Sequence, residues 1–243
     1  MKKTLIALSL AAASLPAFAQ KAPEPDVTLS GNFALVSDYR FRGVSQTDVA
    51  PALQGGFDLA HKGGFYLGTW ASSVSEWTSF EGAGMEWDVY GGYKFAIGDI
   101  GVDIGNLYYY YPKSVGSPKP NTNEVYLGLS YGPVTFKTSF ATTDYFGIAN
   151  SDGTIYYDLS GSFPMSDGVT LRAHYGYVDI KNSISGSDYK LGIATDVSGY
   201  LLAVDYVGTT GDLKDFTSGQ SIGAGRTKDL GKGGLVFSVT KTF

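Results

Sequence analysis

The sequence predicts an all-β fold, an antiparallel up-and-down β-barrel of twelve strands, and three observations carry that expectation. Apolar and polar residues alternate with a period of two in about a dozen runs between residues 28 and 243. The segments joining these runs alternate between short and long. Charges collect on one parity of each run, and aromatic residues mark both ends of the other parity. Successive side chains of a strand point to opposite faces, so each run has one apolar face and one wet face.

Residues 1–19 are expected to be an export signal. Lys2 and Lys3 form a charged start, Leu5 to Leu15 an apolar core, and Ala17-Phe18-Ala19 a small-x-small motif, with cleavage after Ala19 on the Sec route. That core is too short to span a bilayer, and no later stretch reaches the roughly 18 apolar residues a spanning helix needs. Residues 20–27 (QKAPEPDV) are a Pro-containing leader, and residues 28–243 form the barrel domain. Of 18 Lys and Arg, removal of Lys2 and Lys3 leaves 16 against 23 Asp and Glu, a formal net charge of −7. There is no basic surplus for nucleic acid. The absence of cysteine excludes disulfides, thiolate metal sites and a Cys nucleophile together.

The strands are expected at residues 28–39, 51–60, 65–74, 84–95, 100–111, 122–131, 134–143, 153–163, 168–178, 188–197, 200–210 and 233–243. The connections 61–64, 96–99, 132–133, 164–167 and 198–199 are short. Those at 40–50, 75–83, 112–121, 144–152, 179–187 and 211–232 are longer. Short periplasmic turns, longer outside loops and an even strand count are the layout of an outer membrane barrel.

The apolar parity includes Leu29, Phe33, Leu35, Leu53, Phe57, Leu59, Val102, Ile104, Leu127, Leu129, Leu159, Leu191, Ile193 and Leu202. One charge, Lys241, falls on it, near the short-turn end where its stem can snorkel. The other parity carries Asp58, Glu86, Asp88, Lys94, Asp103, Glu124, Lys137, Asp158, Arg172, His174, Lys190, Asp196 and Asp205. These are the candidate lumen residues, with eight acids against four Lys and Arg, which predicts a mild preference for cations. Aromatic rims are expected at Phe65, Phe95, Tyr131, Phe163, Tyr200 and Phe243 beside the short turns. Tyr39, Tyr110, Phe140, Tyr177, Tyr189 and Tyr206 stand beside the long loops. A soluble β-sandwich is the competing fold, but its inner face would have to be apolar.

Catalytic chemistry is sparse in the sequence. His61 sits in a short turn, where it reads as a turn-filling residue. His174 is on the wet parity two residues from Arg172, which favours a lumen-lining role over that of a general base. Asp144, Asp152, Asp212 and Asp215 lie in long loops but lack the D-x-D-x-D-G spacing of a Ca²⁺ loop. No cofactor, metal or catalytic set is expected. The first long loop stands out, because Asp38, Arg40, Arg42, Ser45, Gln46, Thr47 and Asp48 crowd hydrogen-bonding groups into eleven residues. Folded inward, Arg40 and Arg42 would face lumen acids and narrow a pore. As a clamp, one of them would pair with a barrel acid and fix the loop. Both readings stay open at this level.

The last strand, GLVFSVTKTF, resembles the assembly signal of outer membrane proteins, with Phe237 and Val239 in step with the terminal Phe243 and Lys241 as a departure. That resemblance implies the barrel assembly machinery as a partner. The chain as a whole resembles the TorF porin family. The stretches that carry this are SDYRFRGVSQT (Ser37–Thr47), PALQGGFDLAHKGGFYLGTWAS (Pro51–Ser72), DVYGGYKF, LYYYYP (Leu107–Pro112), EVYLGLSYG, DYFG (Asp144–Gly147), DYKLGI and the closing strand. The resemblance implies a channel-forming, multi-pass protein in contact with outer membrane lipid. A twelve-stranded wall, between a filled and an open barrel, leads to the expectation of a narrow channel passing ions or small polar solutes by passive diffusion. The alternatives are a non-conducting structural or adhesive barrel with a salt-bridged lumen and, further off, a lipid- or peptide-acting enzyme.

Overall fold

The computed structural model describes residues 25–75, 81–115, 117–217, 220–221 and 227–243. The expected export signal and most of the leader lie outside the described residues. Twelve long strands form one closed sheet. They are β1 (Val27–Val36), β4 (Ala52–His61), β5 (Phe65–Ser73), β6 (Met85–Ile97), β7 (Ile100–Tyr110), β8 (Thr122–Tyr131), β9 (Val134–Ala141), β10 (Ile155–Pro164), β11 (Val169–Asp179), β12 (Ser185–Val197), β13 (Tyr200–Thr210) and β16 (Gly234–Thr242). Each pairs antiparallel with its chain neighbour, and β1 closes the ring on β16, with Leu35 opposite Val239. All twelve expected strands are present with their ends shifted by a few residues. Four short strands were not expected: β2 (Arg40–Phe41) and β3 (Val44–Ser45) in the first loop, and β14 (Gln220–Ser221) and β15 (Thr227–Lys228) in the last. The last loop also holds a six-residue helix, α1 (Gly211–Phe216).

The burial pattern is the inverse of that of a soluble globule. Leu29 and Phe65 are each 65% exposed, whereas Glu86 is fully buried and Glu124 is 2% exposed. Leu35, Val239 and Leu202 stand in one register row across β1, β16 and β13, all facing out. The soluble-sandwich alternative is overturned, since the described sheet is closed and its enclosed face carries the charge. Lys241 does lie on the apolar face, and it reaches back so that Nζ donates to the Gly199 carbonyl at 2.9 Å and lies over the Tyr200 ring. No described helix is long and apolar enough to cross a membrane.

Most of the expected rim aromatics are exposed on the outer face, Tyr131 and Phe243 most of all. Tyr39 is a correction. The chain turns inward after Val36, so the Tyr39 hydroxyl donates to Glu86 Oε1 at 2.7 Å and its ring meets Trp70 edge to face.

Inside the ring, tyrosines lie flat along the wall because glycines of neighbouring strands leave room for them. Tyr90 crosses Gly68 to donate to Asp58 Oδ1 at 2.6 Å, and Tyr156 crosses Gly176 to donate to Asp188 Oδ2 at 3.0 Å. A methyl group at Gly68 would collide with both the Tyr90 ring and the Asp58 carboxylate. Gly68→Ala is therefore expected to cost about 1–3 kcal/mol by overpacking, read from equilibrium urea unfolding of the refolded protein.

Candidate functional site

The site is the lumen, and its centre is the first long loop, which folds into the barrel as a hairpin. Strands β2 and β3 pair Arg40 with Ser45 and Phe41 with Val44. The two residues between them, Arg42 (φ 47°) and Gly43 (φ 79°), both take positive φ, as a type I′ turn requires. Gly43 is needed twice over. A side chain there would also press on the Gly208 carbonyl at 2.6 Å and on Asp188 Cβ at 2.7 Å, so the hairpin tip lies directly against the wall. Arg42 adopts a backbone conformation that non-glycine residues avoid, at about 1–2 kcal/mol, and its side chain explains how it stays there.

The Arg42 guanidinium donates through Nη2 to both Glu124 oxygens, at 2.9 and 2.8 Å, and through Nη1 to the Tyr145 hydroxyl at 2.8 Å. Its carbon lies 4.0 Å from the centroid of the Tyr156 ring. Burial would weaken its hold on the proton, but Glu124 and the surrounding tyrosines outweigh that and keep it well above the usual arginine range. One nitrogen thus bridges the two carboxylate oxygens while the other reaches the tyrosine, so the rigid guanidinium holds two partners at once. Glu124 in turn makes its ion pair with Arg42 alone among the described residues.

The neck of the hairpin is held separately. Asp38 accepts from Arg40 Nε at 2.5 Å, from Ser45 Oγ at 2.6 Å and from Thr47 Oγ1 at 3.2 Å. Arg40 Nη1 donates to the carbonyls of Gly43, Leu230 and Lys232, at 3.1, 2.9 and 3.0 Å, which ties the hairpin to the last long loop. A second tight turn enters from the loop after β9, where Phe146 (φ 46°) and Gly147 (φ 79°) follow Tyr145. Phe146 meets Phe41 at 5.2 Å and Tyr109 at 5.0 Å, edge to face. Together the two turns fill the long-loop end of the lumen with aromatic and aliphatic side chains, including Tyr156, Val178, Ile180 and Leu213.

The wall residues fall into local pairs. Glu86 accepts from Tyr39 and Tyr111, each at 2.7 Å. Asp103 accepts from Tyr66 at 2.7 Å, and Lys94 stands 4.0 Å from it at the short-turn end, largely exposed. Arg172 is 3.3 Å from Asp205. His174 has Asp158 Oδ2 3.1 Å from Nδ1 and Asp188 Oδ1 2.7 Å from Nε2, so both ring nitrogens meet a carboxylate. Lys137 lies over the Tyr126 ring at 4.0 Å. Asp88 is 7% exposed, and its Oδ1 has no hydrogen-bond partner among the described residues.

Beneath the hairpin are two cavities, of about 290 and 510 Å³, that share Arg40, Lys190 and Val207 in their walls. The smaller reaches His174, Lys137 and Tyr156. The larger runs past Trp70 and Arg172 to Thr170, Leu201 and Thr240 near the short turns.

Of the candidate lumen residues, Asp196 keeps the inward parity opposite Leu201 but lies exposed at the short-turn end of β12, where Oδ1 accepts from the Gly199 amide at 2.9 Å. Asp188 also belongs in the lumen, on the same parity of β12 as Lys190, and the sequence reading left it out. Tyr66, Tyr90, Tyr109, Tyr126 and Tyr156 were also missed; their inward parity was the available signal. His61 fills its turn, accepting at Nδ1 from the Gly63 amide. Asp144 and Asp152 serve loop contacts, to the Ser151 amide and to Lys181. No cluster of metal-ligating side chains occurs among the described residues. Phe237, Val239 and Phe243 all face outward.

The family described as "Bacterial protein of unknown function (Gcw_chp)" matches residues 20–243. No curated protein matches the chain. Among solved structures, the KdgM porin is similar with a TM-score of 0.53, covering 88% of this chain and 98% of that one at 7% identity. The NanC porin gives a TM-score of 0.53 over the same shares, at 10% identity. At such identities the likeness is one of fold.

Loss of the Arg42 guanidinium would leave Glu124 buried and unpaired. Arg42→Ala is expected to destabilise by about 3–5 kcal/mol, and the double variant Arg42→Met with Glu124→Gln should recover most of it in a urea-unfolding double-mutant cycle.

Proposed function

The chain belongs to the Gcw_chp family, bacterial proteins without an assigned function, and we propose that it is a porin-like channel of the Gram-negative outer membrane. The observation that carries this reading is the inversion of the fold. An apolar belt faces out between two aromatic rims, and charges surround cavities within. The likeness to the KdgM and NanC barrels, both described as porins, supports it, as does the resemblance of the sequence to the TorF porin family. The expected export signal and the outward Phe237, Val239 and Phe243 fit delivery through the Sec route and insertion by the barrel assembly machinery.

The cargo we propose is ions or small polar solutes moving passively, because the hairpin narrows the lumen beyond what twelve strands would leave. Net wall charge gives the pore as a whole a mild preference for cations. A catalytic role fits poorly, since both nitrogens of His174 are engaged by carboxylates and none is left to act as a base. The second reading, a non-conducting barrel, is favoured by one feature: Arg40 and Arg42 are fully engaged, so the hairpin is a stable seal at the long-loop end.

Planar-bilayer recordings separate the two. The channel reading expects small cation-preferring steps from the native protein and larger ones from Gly43→Ala, which cannot seat the hairpin tip. Silence from both proteins would sink it, while silence from the native protein alone would favour the seal. On the outer face, Leu127→Arg at mid-strand is expected to cost about 2–4 kcal/mol of stability in bilayers, measured by unfolding from lipid vesicles.

A further inference from the structure

The partners of the lumen charges do not cancel evenly. Arg42 is taken by Glu124, Arg40 by Asp38 and three carbonyls, Arg172 by Asp205, and His174 by Asp158 and Asp188. Two ammonium groups are left over. Among the described residues, neither Lys190 nor Lys137 has an ion pair or hydrogen bond to a carboxylate. Lys190 stands opposite His174 in the β11–β12 register, and Lys137 stands opposite Asp158 in the β9–β10 register. The acids around them already serve other cations: Asp158 and Asp188 the imidazole, Asp205 Arg172, and Glu124 Arg42. Both lysines face the smaller cavity, and Lys190 also faces the larger one that reaches toward the short turns.

We propose that the cavity beneath the hairpin is a binding site for a small organic anion bearing two or more carboxylates, held by Lys190 and Lys137. Two cations without an ion pair, on separate strands around one cavity, match separate negative groups on one solute. Charge-assisted hydrogen bonds from ammonium to carboxylate are among the stronger polar contacts. The net negative wall does not forbid this, because at physiological salt charges act over a range of about 8 Å. The anion therefore feels the groups that line this cavity, Arg40, Arg42, Lys137, His174 and Lys190 against Asp158 and Asp188, more than the distant acids of β4 to β7. It enters from the short-turn end, since the aromatic turns close the other.

The test does not depend on conductance. Purified full-length protein in neutral detergent is titrated with sodium citrate at constant ionic strength, followed by calorimetry and by tryptophan fluorescence, Trp70 lying in the larger cavity wall. Saturable binding is expected, weakened by about tenfold or more in Lys190→Met and in Lys137→Met, and restored in Lys190→Arg. Heat-modifiable mobility on gels verifies that each variant is folded, and Lys137→Met carries the test if Lys190→Met does not fold. Absence of saturable binding by the native protein overturns the proposal, as does binding that neither lysine variant weakens. A silent bilayer with intact citrate binding would remove the channel reading and leave this site standing.

Discussion

Closure of the backbone ladder between β1 and β16 is the constraint on which everything else in this structure rests. The contact extends to the end of the chain, where the Phe243 amide donates to the Gly31 carbonyl at 3.0 Å and the Gly31 amide returns a bond to Phe243 at 2.8 Å. With the ring closed, the long strands have no open edge to satisfy, and every residue along them must face either out or in. The outer face takes the apolar set. The inner face must then accommodate whatever polar groups remain, in a space too small to hydrate all of them.

That confinement explains the architecture of the lumen. A buried carboxylate is costly unless it is paired and hydrogen-bonded. Glu86 meets the requirement with two tyrosines and Glu124 with the Arg42 guanidinium. The tyrosines reach their acids only because glycines such as Gly68 and Gly176 let the rings lie against the wall. The hairpin follows from the same need. Its tip carries a strained Arg42 into the barrel because Glu124 would otherwise be left alone, and the local backbone cost is small beside that of an unpaired buried charge.

The two readings of the first loop turn out to be one arrangement. Arg42 pairs with a barrel acid, as a clamp should, and in doing so places the hairpin across the lumen, as a constriction should. Arg40 does neither directly. It holds the neck, through Asp38 and the carbonyls of the last long loop. Seal and pore then differ only in whether the space beside the hairpin stays continuous with the cavities below it.

Period-two alternation determined the twelve strands, the two faces and the inward side of residues such as Glu86, Asp158 and Arg172, because a strand offers a side chain only two directions. It misled at the end of β1. Tyr39 follows the parity of its run in sequence, but beyond Val36 the chain no longer runs as a barrel strand. What only the tertiary structure decided was partnership: Arg42 with Glu124, His174 between Asp158 and Asp188, and Lys190 and Lys137 without an acid of their own. Arg42 reaches Glu124 because the hairpin folds inward, whereas His174 meets its two acids from the strands on either side of its own, where the register of neighbouring strands sets the contact. Distance along the chain encodes neither, because hairpin placement and strand register are properties of the whole barrel.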